Sequence, residues 1–340
     1  MEQYILNEMY FGKSPGLLKI EDYFLKIQQK YKRSNPFSNL SVYREMLKDP
    51  ILLKIANEIV DLFGFKEAAV TFSREDTINA YCITFVSEPN GDSYTLDEKK
   101  IPYEKLLGSV IITNSGYKFN PKKFPINLFT CINLGCLFKN KMNISELMAI
   151  LLHEIGHNFS LVMCSNKMTD KANETFADSF AVSYGYGAEL SHAFSKMAIR
   201  YSNFDKTFKD IPVLNIVTGL NQIRKGIWHY DPDDDHPTNK IRLDNMLRQM
   251  EIDLKETPNL TPGMREDLKK QIEYCKKLIH NTYDVTDNDN IGVRMTKYYH
   301  REMEPAFEED QRKEIDKYAH PTKLNKKIGT MIKPKGWFKF

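Results

Sequence analysis

The chain has 340 residues, 41% of them hydrophobic, 12% aromatic and 27% charged, which suffices to bury a core in one elaborated domain or two modest ones and excludes global disorder. With 48 basic and 45 acidic residues the net charge is only +3, so nothing in the charge balance points to a nucleic acid or to any other charged partner. Five widely spaced cysteines, Cys82, Cys131, Cys136, Cys164 and Cys275, include no Cys-x-x-Cys pair, which argues against a disulfide scaffold and gives no signal of a cysteine-ligated zinc site.

The apolar runs around 128–138 and 147–152 are interrupted well short of the ~20 residues that span a bilayer. The first residues, Met1-Glu2-Gln3-Tyr4, show neither the basic start nor the apolar core of a secretion signal. The expectation is a soluble, cytoplasmic protein with reduced thiols and no membrane insertion.

Taken in chain order, the first element is a helix over 17–31, where Leu17, Leu18, Ile20, Phe24, Leu25 and Ile27 recur at helical spacing. A second helix is predicted from a cap at Ser41 to Phe63, ending at Gly64. These two form an N-terminal brace over 1–64. From Phe65 the β-formers take over: 69–72, 80–86 and 109–113 read as strands of a small sheet.

Helices then dominate. Ser145 can cap one over 146–161 and Asp170 another over 172–184, with Tyr184-Gly185-Tyr186-Gly187 breaking the run before a helix that ends near Arg200. Further helices are predicted over 211–227, 238–252 and 262–279. The fold class is therefore α+β and mostly helical. Its parts are a brace (1–64), a core (65–255) and a C-terminal helix with a basic tail (256–340). The tail, 321–340, carries six lysines and no acid, and with Trp337, Phe338 and Phe340 it is a candidate surface for a protein partner.

The chemistry is concentrated in His153-Glu154-Ile155-Gly156-His157. On a helix, residues four apart lie one above the other, so His153 and His157 can share one zinc ion at about 2.0–2.1 Å each. Glu154, turned about 100° round the helix, can instead reach the water that attacks a substrate. A chance match to this pattern is on the order of one in a hundred for a chain of this length, so a third ligand is needed. Glu174 supplies it and leaves one coordination position open. Asp178, four residues further on, is placed to accept a hydrogen bond from the far nitrogen of a ligand histidine, His153 being the first candidate. Asp231-x-Asp233-x-Asp235 has His236 and Arg242 where a calcium loop needs Gly and Glu, so calcium is excluded there.

His153-Glu154-x-x-His157 followed by Glu174-x-x-x-Asp178 resembles the gluzincin metallopeptidases. More narrowly, it is similar to the family of the CAAX prenyl protease and the HtpX heat-shock protease. Asn79-Ala80-Tyr81 resembles that family's Asn-Ala-aromatic strand beside the substrate cleft, and His236-Pro237 with Arg242 and Leu243 resembles its His-Pro element. The likeness covers roughly 50–250, without the membrane helices of many such relatives.

It implies a zincin-like core with one Zn²⁺ per chain and a protein or peptide substrate held along Asn79, Ala80 and Tyr81. The expected activity is that of a zinc endopeptidase in which Glu154 is the general base acting on a zinc-activated water. His236 is the first candidate for oxyanion donor, before His229, Tyr184 and Tyr186, and is equally open to a structural role capping the helix from Thr238. Arg242 is open between a pair with the acidic loop and a contact to substrate. The rival readings are a zinc-bearing pseudo-peptidase serving as a docking module in a larger assembly, and a closed structural site with His236 as fourth ligand.

Overall fold

The computed structural model describes residues 10–34, 36, 39–46, 48–63, 68–73, 80–87, 93–96, 99–102, 112–113, 126–133, 138, 142–164, 170–198, 212–228, 236–309 and 313. Asn79, His229, the acidic loop 231–235 and the basic tail 321–340 lie outside them. Most of the described chain is helical, and it divides into two compact units, one of Phe11–Met163 and one of Tyr10 with Cys164–Lys327. Among the described residues no helix is long and apolar enough to cross a membrane.

The first unit opens with α1 (Pro15–Tyr31). Ser14 accepts a hydrogen bond from the Leu17 amide at 3.3 Å, and Pro15 sits at the first helical position, where its missing N–H costs nothing. Leu17, Ile20, Phe24, Ile27 and Tyr31 form the buried stripe, whereas Leu18 and Leu25 face outward. The single helix expected over 41–63 is two: α2 (Leu40–Met46) and α3 (Pro50–Phe63). Pro50 is the reason. It disfavours helical geometry in the preceding residue, so Asp49 becomes a cap, and its Oδ1 accepts from the Ile51 amide at 3.0 Å.

The sheet of this unit has β1 (Ala68–Ser73), β2 (Ala80–Ser87), β3 (Ser93–Leu96), β4 (Lys99–Pro102), β5 (Ile112–Thr113) and β6 (Ile126–Asn133), in the order β4-β3-β2-β6-β1-β5. β6 is parallel to β1 and antiparallel to β2. It is central, although the sequence reading took 128–138 only as an apolar run. Helix α3 packs on β1 and β5, and α1 on α3. Helix α4 (Ile144–Cys164) is capped by Asn143 rather than by Ser145. Asn143 Oδ1 accepts from the Glu146 amide at 2.8 Å while Glu146 Oε2 accepts from the Asn143 amide at 2.9 Å, a reciprocal capping box.

In the second unit α5 (Asp170–Ser183), α6 (Gly187–Ala198), α8 (Asn239–Glu256) and α9 (Pro262–Tyr283) pack on one another. Phe176, Phe180, Leu190, Leu243, Met246, Met250 and Leu268 fill the core between them. Gly185 ends α5 with φ 83°. Its amide donates to Val182 O at 2.9 Å and that of Tyr186 to Ala181 O at 3.1 Å, so the chain turns at once into α6. Helix α7 (Pro212–Trp228) packs on α10 (Ile291–Tyr298) at a glycine–glycine crossing, where a Cβ on Gly219 would come within 2.9 Å of Gly292 Cα. A π-helical turn (Tyr299–Met303) and the short α11 (Glu304–Ala306) follow.

Candidate metal centre

Helix α4 supplies the two histidines and Glu154. Its apolar residues Leu147, Met148, Leu151, Leu152 and Ile155 are buried, which fixes its rotation and with it the direction of His153 and His157. His153 Nε2 and His157 Nε2 are 3.1 Å apart, with ring planes at 85°. Two ligands at ordinary zinc–nitrogen distances in a tetrahedral set stand about 3.3 Å apart, so this spacing suits a shared ion. His153 is 6% exposed and Glu154 8%.

Helix α5 supplies the acids. Glu174 and Asp178 are four residues apart on a helix almost every residue of which is buried. Arg242, from the first turn of α8, reaches both. Its Nε donates to Asp178 Oδ2 at 2.9 Å and its Nη2 to Asp178 Oδ1 at 2.7 Å, a bidentate pair, and Nη2 stands 3.2 Å from Glu174 Oε2. The guanidinium also stacks on the Phe194 ring, 3.9 Å from its centroid. Arg242 is 5% exposed.

One ligand atom from each of His153, His157 and Glu174 lies within 4.8 Å of the others, the group among the described residues best suited to a metal ion. Two imidazole nitrogens and one carboxylate are the donor set that zinc takes in hydrolytic sites. His236 is not one of the three. Its ring Nε2 is 3.5 Å from Glu174 Oε1 and its side chain is 56% exposed.

The remaining candidates fall as follows. Ala80 and Tyr81 begin β2, opposite Ile132 and Cys131 of β6. Tyr184 and Tyr186 are buried, at 2% and 0% exposure, and burial raises the Tyr184 phenol well above its ordinary value. Phe194 carried no signal in the sequence, because an aromatic residue at helical spacing looks like any core residue. The double role of Arg242 was equally hidden, since its acids lie more than sixty residues upstream.

Matches were sought among protein-family models, curated proteins and solved structures, and none was found.

Proposed function

We propose that the chain is a zinc-dependent endopeptidase with a gluzincin-like core, in which His153, His157 and Glu174 hold one Zn²⁺ and Glu154 is the general base. The observation that carries this reading is the convergence of those three ligand atoms within 4.8 Å, with Glu154 on the same helix as both histidines. A zinc ion bound there would supply Lewis acidity, acidifying a water molecule and polarising a substrate carbonyl.

The protein's own groups do the rest. Glu154 accepts a proton from the attacking water and delivers it to the leaving nitrogen as the C–N bond breaks. Arg242 holds Asp178 by two hydrogen bonds and keeps its positive charge 3.2 Å from Glu174 Oε2. His236, exposed and next to Glu174, is the candidate donor to the developing oxyanion.

Substrate binding along β2 has support from the register. Among the described residues only Val86 and Ser87 of β2 pair with β3, whereas Ala80–Val86 pairs with β6 on the other side. The β3-facing edge over residues 80–85 can therefore take an extended peptide as an added strand, with Asn79 just ahead of it. On this reading the substrate is a protein or peptide, and the cytoplasm is the expected compartment.

The test measures zinc content and cleavage of an unfolded protein by the wild type and by Glu154→Gln. Both should bind about one zinc, and only the wild type should cleave. Equal cleavage by the two would sink Glu154 as the base, and a wild type that takes up no zinc would sink the metal centre.

A further inference from the structure

Glu308 lies just beyond α11, with its amide donating to Pro305 O at 3.1 Å. It is 2% exposed, and both of its carboxylate oxygens are engaged by helix starts. Oε1 faces Lys171 Nζ at 3.5 Å, in the first turn of α5, and this lysine is itself buried at 6% exposure. Oε2 accepts from the Thr238 amide at 3.1 Å, the capping residue of α8.

Each of these contacts continues into the metal centre. The Thr238 carbonyl accepts from the Arg242 amide at 3.0 Å, so the residue whose amide Glu308 grips is itself bonded to Arg242, which is paired with Asp178 and stands beside Glu174. On α5, the Lys171 carbonyl accepts from Thr175 Oγ1 at 2.9 Å, next to Glu174. Glu308 and Arg242 thus form two rungs between α5 and α8, one helical turn apart. A buried carboxylate shared by a buried cation and a backbone amide is a costly arrangement to leave half-made, so it holds its partners firmly.

We infer that Glu308 is a positioning residue for the metal centre: by tying the start of α8 to the start of α5 it sets Arg242 against the Glu174 carboxylate. The inference rests on the metal-site reading given above, but its first readout does not need metal.

The experiment compares full-length wild type with Glu308→Ala, Glu308→Gln and a destabilised control, Ile272→Ala, whose buried apolar side chain on α9 can make none of the hydrogen bonds or ion pairs of either rung. Amide exchange is followed by mass spectrometry in the metal-free chain over 170–178 and 236–244, and zinc affinity by competition with a chelator. Glu308→Ala should speed exchange at both segments by about tenfold and weaken zinc by about tenfold or more. Glu308→Gln keeps an acceptor for the Thr238 amide and loses the charge pairing, so it should fall between wild type and Glu308→Ala. It also decides the matter should Glu308→Ala fail to fold. The control should slow neither zinc binding nor loosen these two segments beyond its overall loss of stability.

Unchanged exchange at both segments in the Glu308 variants would overturn the inference, as would an equal loss of zinc in Ile272→Ala. A wild type that binds no zinc refutes the metal centre alone, and the exchange rates still decide whether Glu308 ties the two helices.

Discussion

At the scale of single residues, the arrangement turns on a guanidinium shared between two carboxylates. A lysine in place of Arg242 would keep the charge but could not grip both Asp178 oxygens while reaching Glu174 and stacking on Phe194. Arg242→Lys should therefore weaken zinc binding by about 10- to 100-fold, read by chelator competition, while the chain stays folded. Asp49 allows a second residue-scale prediction. Burial disfavours its charge, but Lys30, the Ile51 amide and the Tyr31 hydroxyl bond to it, and the balance holds its carboxyl below the ordinary value. The Tyr31 phenol is pushed up to about 12, chiefly by burial. A carboxyl with a lowered folded-state pKa stabilises the fold above its unfolded-state pKa and loses that contribution as pH falls through the folded-state value. Wild type should thus exceed Asp49→Asn by about 2 kcal/mol in urea unfolding at pH 7, and the gap should close as the pH falls from the ordinary carboxylate range through the lowered folded-state value.

At the scale of elements, the crossing of α7 and α10 leaves no room for a methyl group on Gly219. Gly219→Ala should cost about 1–3 kcal/mol in thermal or urea unfolding, although alanine is the better helix former, because the two backbones must separate. The elements also show what the sequence made legible. The glycine stop after α5 and the stripe of α1 were readable because each is a local pattern of spacing or backbone geometry. The Asp49-Pro50 break was present in the sequence too, but the cap at Ser41 and the stop at Gly64 framed one long helix across it. Strand β6 was missed for a different reason. A short apolar run carries no period that separates a central strand from a buried helix, and its pairing partners are distant in the chain.

At the scale of the whole molecule, zinc bound at the proposed centre would be linked to stability. If the ligand set binds zinc only when folded, zinc at a hundred times its dissociation constant adds about 2.7 kcal/mol. Thermal unfolding should move upward with zinc and back with a chelator, and Glu174→Ala should respond to neither. The ligands His153, His157 and Glu174 were readable as a set because two lie in one helical turn and the third follows seventeen residues after His157. What surrounds them was not, because Lys171 and Glu308 are 137 residues apart and no local pattern announces such a pair. Among the described residues β2 meets β3 only at Val86 and Ser87, which has a consequence for what an enzyme of the proposed kind would choose to cut. Six extended residues offer about 20 Å of main-chain ladder, and only a polypeptide whose own amides and carbonyls are disengaged can complete it. Selection by such an edge would be conformational: a segment already committed to a helix or a sheet would be refused whatever its side chains, and one that has come undone would be accepted with wide tolerance of sequence.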